Sequence, residues 1–526
     1  MATRAISDEA ATTPDPPAGP LWSDRQWWLA VALCLVTSLL RLAWPGDTGW
    51  INDEPLFLSK AAAMNSGSLA AALSQRAGLH GTVGLTYGPV AVWIFALLLR
   101  LSSDLIVVAA LRTLLWSALT CTALLWLGRL VPRLRPLSLC LVLLSPYAWL
   151  YSRQLWDNPW LMPLGGLSLA AYLSFHGQPR RGPFALAVIG LALAVLIHPM
   201  VMPLGLVLLW HALRFHRGFL RAERRLVLGL SLLCLLLAAP WLSYLLQGLW
   251  LRLHGALPVA AGPPPPPADL LPPEPAVSFF TPLFFPFLGG VQLSGLGLHY
   301  FVGEDFWVGR EILWLPRVFS AVAHGLLWLG LFIAVQRVRS AWRAGALVGR
   351  DLHLALICVL TFAVQTVLHV VLRRHTHPHY YNGSWICLVY FVALALSSDA
   401  PWPWLKRLWR PGLRGAVGLG LALSLSLVTS DLALRLHATS GTRGLHYGAT
   451  LSNQIEVARS LARYHPDSPL SVEVLNYRLF PHALSLLRPL CGVPSDPAAP
   501  RQPLRLRYRS ADPRDGGILV EPMRIP

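Results

Sequence analysis

Two adjacent carboxylates are the residues of this sequence best suited to chemistry. Asp53 and Glu54 lie in the stretch TGWINDEPLFLSK, a few residues after the first long hydrophobic run. The dipole of a helix keeps a carboxylate at its N-terminus ionised and ready to accept a proton. Neighbours in sequence do not share a helix face, so one carboxylate can face a site while the other supports it. The alternative interpretation is that both residues only cap a helix.

The residues around this pair predict a short helix of about 13 residues. Asn52 can cap its start, Pro55 is tolerated in its first turn, and Gly67 ends it. Phe57 and Ala61 share one face, which suits a helix that lies on the surface of a bilayer.

A second polar stretch, LYSRQLWDNPWLMP, runs from Leu150 to Pro163. Its Arg153 could bind a phosphate, and its Asp157 could orient a hydroxyl or an amine. The alternative is an ordinary interfacial turn whose two tryptophans lie in the aromatic belt of the membrane.

A third polar stretch, VLRRHTHPHYYNGSW, begins at Val371. Its adjacent Arg373 and Arg374 favour an anionic partner, most simply a lipid phosphate. Three alternating histidines follow, but a spacing of two residues brings imidazoles together only on an extended backbone, so a metal site is the weaker interpretation. The last of these histidines is His379, and Tyr380 and Tyr381 follow it directly.

Two further segments carry weaker signals. His198 interrupts the apolar run 183–213, and a lone histidine is more often structural, with substrate binding as the alternative. The stretch GTRGLHYGATLSNQ, Gly441 to Gln454, is rich in glycine and predicts a tight loop that could reach back over a site.

The composition around these residues predicts a multispanning membrane protein. The 526 residues are 55% hydrophobic and only 13% charged, with a mean hydropathy of +0.52, whereas soluble proteins are about 25% charged. The formal net charge of +18 does not indicate nucleic acid, because the cations lie in short clusters between apolar runs. The seven cysteines lack the spacing of metal ligands or disulfides, which predicts inert apolar side chains.

The apolar runs predict about eleven transmembrane helices, at about 20 residues a span. Five Arg-rich and Lys-rich clusters fall on one side only if the run 183–213 crosses twice and the run 88–101 does not cross. The N-terminus is then inside, and the polar stretches described above all lie outside. The charges within the runs lie toward the outer ends, which predicts a polar cavity at the outer leaflet. These charges are Arg41, Arg112, Arg317 and Asp431.

The domain organisation follows from this topology. The predicted parts are a disordered cytoplasmic tail (1–26), a transmembrane domain (27–436) with outer loops at 46–103 and 247–310, and a small extracytoplasmic domain (437–526). The loop 247–310 contains GPPPPPADLLPPEP, which predicts an extended segment. The last domain mixes a helix-like stretch with the strand-like runs SVEVLN, LRLRYR and GGILVEP, which predicts an α/β fold.

Taken in order, these features resemble the GT-C membrane glycosyltransferases. They are most similar to the bacterial relatives of dolichyl-phosphate-mannose protein mannosyltransferases and to the aminoarabinose transferases that act on lipid A. The matching elements are a first span followed by Asp53 and Glu54, the short run YGPVAVWIFALLLRL, the stretch YSRQLWD that ends at Asp157, and His379-Tyr380-Tyr381. The similarity covers residues 25 to 400.

The resemblance implies an all-α polytopic GT-C fold and an inverting transfer of a sugar. The donor would be a polyprenyl-phosphate sugar, and the acceptor a protein, lipid or polysaccharide at the outer face of the plasma membrane. Asp53 would be the general base, supported by Glu54. Three arginines would stabilise charge on the departing phosphate, and five residues would position the substrates. The arginines are Arg153, Arg373 and Arg374, and the positioning residues are Asp157, His198, His379, Tyr380 and Tyr381.

The resemblance leaves metal dependence open, since some relatives use a divalent cation and others do not, and no metal ligands are predicted here. Two other classes of function compete. A lipid or glycan transporter or flippase would more often have paired broken helices in an inverted repeat, which the sequence lacks. A degenerate enzyme that serves as a scaffold would tolerate the loss of Asp53.

Overall fold

A computed structural model describes most of the chain. The described residues are 24–50, 53–67, 88–131, 134–253, 314–372, 378–397, 409–443, 447–462, 470–472, 484, 486–487, 490, 504–511 and 516–522. The predicted disorder of residues 1–26 and the predicted extended loop 247–310 fall almost wholly outside this part.

The described part is mostly helical. The helices are α1 (Arg25–Arg41), α2 (Glu54–Ser66), α3 (Val90–Leu101), α4 (Leu105–Leu130), α5 (Pro136–Cys140), α6 (Pro146–Arg153), α7 (Leu161–Gly177), α8 (Arg181–Ile197), α9 (Met202–Phe215), α10 (Arg217–Ala222), α11 (Arg224–Leu253), α12 (Trp314–Arg343), α13 (Arg350–Leu372), α14 (Trp385–Ser397), α15 (Pro411–Ala438) and α16 (Leu451–Ala462). Short 3-10 helices span Leu141–Leu144, Asn158–Trp160, Pro199–Val201 and Pro378–Ser384.

The described helices include six segments long and apolar enough to cross a membrane. They are Leu105–Leu130, Arg224–Ser243, Ala321–Arg343, Arg350–Leu368, His379–Ser397 and Pro411–Ala438, and shorter apolar helices span Val90–Leu101, Arg181–Ile197 and Pro199–Phe215. Large apolar side chains such as Leu228 and Leu419 are exposed on these helices, as contact with lipid requires. The chain is a multi-pass membrane protein, while the count of eleven spans stays a prediction.

The apolar run 136–151, one of those counted as a predicted span, is not one continuous helix, because Pro146 interrupts it. The segment consists of α5, a 3-10 turn and α6, and Ser145 caps α6 by accepting the backbone N–H of Ala148 at 3.0 Å. A break inside a membrane leaves backbone carbonyls without helical partners. Here Arg41 donates to the carbonyl of Leu143 at 2.5 Å, and the Thr429 hydroxyl donates to that of Leu144 at 2.7 Å.

Two other apolar runs form helices, while the prediction of which of them cross the membrane stays untested. The run 183–213 forms two helices, α8 and α9, with His198 in extended backbone between them. The run 88–101 forms α3, whose 12 residues extend about 18 Å and are too short to cross. Helix α3 packs on α2, and the ring centroids of Phe57 and Phe95 are 6.2 Å apart.

The C-terminal residues combine α16 with a three-stranded sheet of β1 (Leu470–Val472), β2 (Leu504–Tyr508) and β3 (Ile518–Pro522). The order is β1-β2-β3, with β1 parallel and β3 antiparallel to β2. The α/β composition agrees with the strand-like runs of the sequence.

The segment 441–454 packs on the loop 46–50 that precedes Asp53. The backbone N–H of Leu451 donates to the Thr48 carbonyl at 2.8 Å, and the Tyr447 hydroxyl donates to the Asp47 carbonyl at 2.7 Å. Gly49 and Thr450 form an isolated antiparallel bridge. The described residues of the glycine-rich stretch therefore contact the loop 46–50, while their place over a site stays a prediction.

Candidate functional site

Asp53 directly precedes α2, but its side chain does not cap the helix. Its backbone is helical, with φ −84° and ψ −20°, and its side chain makes no capping hydrogen bond. Instead its Oδ2 accepts the indole N–H of Trp156 at 3.0 Å. The interpretation that the Asp53 side chain is only a helix cap is therefore wrong, while Pro55 and Gly67 hold the predicted places at the two ends of the helix.

The environment of Asp53 suits proton transfer near neutral pH. The side chain is half-buried, and this burial raises the pKa of Asp53 to about 6, while the hydrogen bond from Trp156 acts in the opposite direction. A general base works best when its pKa lies near the working pH. Asp53 is thus mostly ionised at pH 7 and can take up a proton.

Asp157 forms the second carboxyl of the site and is fully buried. Its Oδ1 accepts the backbone N–H of Asn158 at 2.6 Å, and among the described residues its Oδ2 has no hydrogen-bond partner. Burial, and then the charges of Asp53 and Glu54, raise the pKa of Asp157 well above its ordinary value. A protonated Asp157 can donate a hydrogen bond, which an ionised one cannot.

Glu54 lies in the first turn of α2 and is 2% exposed. Burial is the main cause of the raised pKa of Asp157 and of the Tyr447 hydroxyl, and the charge of Glu54 raises both pKa values further, so Glu54 is electrostatically coupled to both side chains. The predicted pair therefore forms a cluster of three carboxyl groups with Asp157, which comes from a stretch about one hundred residues away.

The third polar stretch meets the same cluster through Trp156. The ring centroids of Trp156 and His379 are 4.8 Å apart, and those of His379 and Tyr380 are 4.6 Å apart. Tyr381 is 1% exposed. The structure therefore brings His379 within one side chain of Asp53, as the sequence predicts for a shared site.

Hydrogen bonds fix the turn 378–384 against its neighbours. The Tyr147 hydroxyl donates to Asn382 Oδ1 at 2.6 Å, and Asn382 Nδ2 donates to Asn158 Oδ1 at 3.2 Å. Gln365 Nε2 of α13 donates to the Tyr380 carbonyl at 2.9 Å. These amides connect α6, the 3-10 turn after Asp157 and the end of α13.

Arg153, predicted to bind a phosphate, donates its hydrogen bonds to backbone carbonyls in the structure. Its Nη1 donates to the carbonyl of Ala43 at 2.6 Å, and its Nη2 donates to that of Trp44. The guanidinium also lies 4.5 Å from the centre of the Trp149 ring, and the residue is 2% exposed. Arg153 therefore stabilises the loop after α1 through these hydrogen bonds. Its binding of a phosphate stays a prediction.

Arg373 and Arg374 lie outside the described residues, as do the histidines at 375 and 377, so their roles stay predictions. The side chain of Arg317 is also outside the described part. Arg112 is buried in α4, where it donates to the Tyr151 carbonyl at 2.8 Å and lies 5.2 Å from the centre of the Trp160 ring.

His198 is buried at a tight junction near this site. Its Nδ1 accepts the backbone N–H of Met200 at 3.3 Å. A Cβ added at Gly383 would lie 2.2 Å from the Met200 carbonyl oxygen, so the turn 378–384 touches the turn 199–201 directly. His198 shapes this junction, and its role in substrate binding stays a prediction.

Two residues have roles that the sequence did not predict. Trp156 fits the aromatic belt by composition, yet it donates to Asp53, and only its position beside Asp157 could have indicated this. Asp47 pairs with His437 Nδ1 at 2.9 Å, and the His437 ring stacks on Trp44 at 4.3 Å. Burial raises the pKa of Asp47, and the hydrogen bond with His437 lowers it.

Among the described residues, one group of side chains could hold a metal ion, namely His176, His211 and His353. It does not include the carboxyl groups near Asp53.

Comparison with known proteins shows the fold. No protein-family model matches the sequence, and no curated protein matches it. The chain is similar to the crystal structure of ArnT from Cupriavidus metallidurans bound to undecaprenyl phosphate, with a TM-score of 0.50 and 17% identity. The match covers 94% of this chain and 98% of that one. The GT-C fold predicted from the sequence is thereby confirmed.

Proposed function

We propose that this protein, with its GT-C fold, transfers a sugar from a polyprenyl-phosphate donor to an acceptor at the outer face of the membrane. The observation that carries the proposal is the half-buried Asp53, whose pKa of about 6 suits a general base. The similar ArnT structure contains undecaprenyl phosphate, which supports a polyprenyl phosphate as the carrier here. The topology predicted from the arginine clusters supports an active site on the outer side of the plasma membrane.

Asp53 takes the proton from a hydroxyl or an amine of the acceptor while that atom attacks the anomeric carbon. A bond forms between the acceptor and the sugar, and the bond between the anomeric carbon and the phosphate oxygen breaks. The electron pair leaves with the polyprenyl phosphate. Attack from the face opposite the leaving group inverts the anomeric configuration.

Trp156, Glu54 and Asp157 support this base. Trp156 holds the Asp53 carboxylate in one orientation through its indole N–H. Burial first, and then the charges of Asp53 and Glu54, favour the protonated form of Asp157, because burial and like charges both disfavour a further carboxylate. Asp157 then has an O–H to donate to a sugar or acceptor hydroxyl.

We assign the phosphate of the donor to Arg373 and Arg374. The guanidinium of Arg153 already donates to backbone carbonyls, so it has less capacity for a phosphate. In the sequence the arginine pair ends four residues before Pro378, where the described turn that packs His379 on Trp156 begins. Two guanidinium groups would stabilise the charge that develops on the leaving phosphate.

The test uses purified protein in lipid nanodiscs with radiolabelled polyprenyl-phosphate sugars and candidate protein, lipid and glycan acceptors. The wild type should consume a donor and label an acceptor, and Asp53→Asn should lower the rate by about 10² to 10⁴-fold. Glu521→Gln, which changes a carboxylate in β3, is the matched control and should keep the wild-type rate. In sealed proteoliposomes, donor that crosses the bilayer without a new bond would indicate a flippase and refute the proposal, as would full turnover by Asp53→Asn in nanodiscs.

A further inference from the structure

Four histidines meet at the end of the helices that is remote from Asp53. His176 lies in the last turn of α7, His211 in α9, His216 directly after α9, and His353 in the first turn of α13. His176 is 15 residues after Leu161, where α7 starts beside the candidate site, and this separation corresponds to about 22 Å along the helix. The cluster is therefore separate from the site that contains Asp53.

The ring nitrogens of three of these histidines are close enough to share an ion. One nitrogen from each of His176, His211 and His353 lies within 4.8 Å of the other two. His211 Nε2 and His353 Nδ1 are 2.8 Å apart. A tetrahedral zinc ion with bonds of about 2.0–2.1 Å needs nitrogens about 3.3 Å apart. Side-chain movements of an ångström or so would bring the three nitrogens to that spacing.

Each of the three rings is held through its other nitrogen. The Tyr172 hydroxyl is 2.7 Å from His211 Nδ1, His216 Nε2 is 2.9 Å from His176 Nδ1, and the Leu347 carbonyl is 3.2 Å from His353 Nε2. Histidines that bind metals are oriented by a partner on the second ring nitrogen in this way. The arrangement leaves His211 Nε2, His176 Nε2 and His353 Nδ1 for a metal.

Metal binding requires one change of tautomer, at His211. Since the Leu347 carbonyl can only accept, His353 carries its proton on Nε2, and its Nδ1 has a free lone pair for an acceptor or a ligand bond. Without metal, His211 donates from Nε2 to that lone pair. With metal, His211 moves its proton to Nδ1 and donates to the Tyr172 oxygen instead.

We propose that His176, His211 and His353 bind a divalent transition-metal ion that prefers imidazole, with zinc as its first candidate. The ion would link α7, α9 and α13 at the inner end of the bundle. Three protein ligands leave a fourth position for water or an anion. Arg350, whose guanidinium lies directly against Gly177, favours an anion there.

The test measures metal binding and does not depend on the proposed transferase activity. The full-length protein is purified without a histidine tag, stripped with a chelator in nanodiscs and titrated with Zn²⁺ or Co²⁺. The wild type should retain one ion per chain and show the visible ligand-field bands of tetrahedral Co²⁺. His211→Gln and His353→Gln should lose binding, and Tyr172→Phe should weaken it about 10 to 100-fold.

The matched control is His324→Gln, which removes a histidine of α12 and should bind like the wild type. If a ligand variant fails to fold, the Co²⁺ spectrum of the wild type decides alone. Absence of the ligand-field bands, or equal metal content in the wild type and a folded His211→Gln, would show that the histidines form a hydrogen-bond network only.

Discussion

Replacement of Trp156 by Phe tests whether the structure explains the pKa of Asp53. The indole N–H stabilises the ionised carboxylate at 3.0 Å, and a hydrogen bond to a charged group contributes about 1.5–3 kcal/mol. Solvent weakens this at a half-buried group, so we expect the variant to raise the pKa by about one unit, from about 6 to about 7. The base must be ionised to act, so activity should fall most at low pH. The loss should be about fivefold at pH 6 and about twofold at pH 7, with recovery above pH 8.

The measurement is the pH profile of kcat/KM for the sugar transfer, which reports ionisations of the free enzyme. Trp409→Phe is the matched control, because the Trp409 indole donates to the Ala395 carbonyl at 2.9 Å, away from the carboxyl cluster. Its acid limb should coincide with that of the wild type. An acid limb in Trp156→Phe that stays in place, or that moves to lower pH, would refute the assignment of Asp53 as the base.

Three further predictions concern stability. Burial raises the pKa of Asp53 above that of the unfolded chain, so the charged carboxylate destabilises the fold at neutral pH and does not do so below pH 4. Asp53→Asn should therefore raise the free energy of unfolding by about 1–2 kcal/mol above pH 6. Thermal unfolding at several pH values measures this difference. Gly88→Ala should lower it by about 1–3 kcal/mol, since the added Cβ would lie 2.1 Å from the Leu196 carbonyl oxygen, whereas Gly205→Ala, with open space around it, should be neutral. Arg153→Lys should lower the free energy of unfolding by about 2–4 kcal/mol, because hydrogen bonds to backbone carbonyls are lost, and it should leave the KM for the donor unchanged. A raised KM at unchanged stability would instead indicate that Arg153 binds the donor phosphate.

Local signals explain what the sequence predicted well. Pro55 acts through its own backbone preference in the first turn, so the start of α2 was predictable from neighbouring residues. The break at Pro146 was equally local, with Ser145 as an N-cap, but the surrounding apolar run concealed it. The length of an apolar run and the residues that interrupt a helix are separate signals. In the run 136–151 the interrupting residues determine where the helices begin and end.

Partners distant in sequence explain what could not be predicted. Arg153 has the residue type that binds phosphate, but its guanidinium meets carbonyls of the loop after α1, over one hundred residues earlier. The raised pKa of Asp157 likewise depends on burial first and then on the charges of Asp53 and Glu54, which come from another loop. His176, His211 and His353 come from three helices with no common spacing, so only the packing of those helices brings them together.

The contact between the first outer loop and the segment 441–454 has a consequence for biosynthesis. Tyr447 and Asp47 are 400 residues apart in the chain, and a ribosome that adds about 5–20 residues per second needs about 20–80 s to make that length. The loop before Asp53 is therefore synthesised long before its supporting partner exists. A nascent or stalled chain that ends before this segment lacks the contacts that Tyr447 and Leu451 make with the loop 46–50, so the loop before Asp53 stays unsupported until most of the chain has been made.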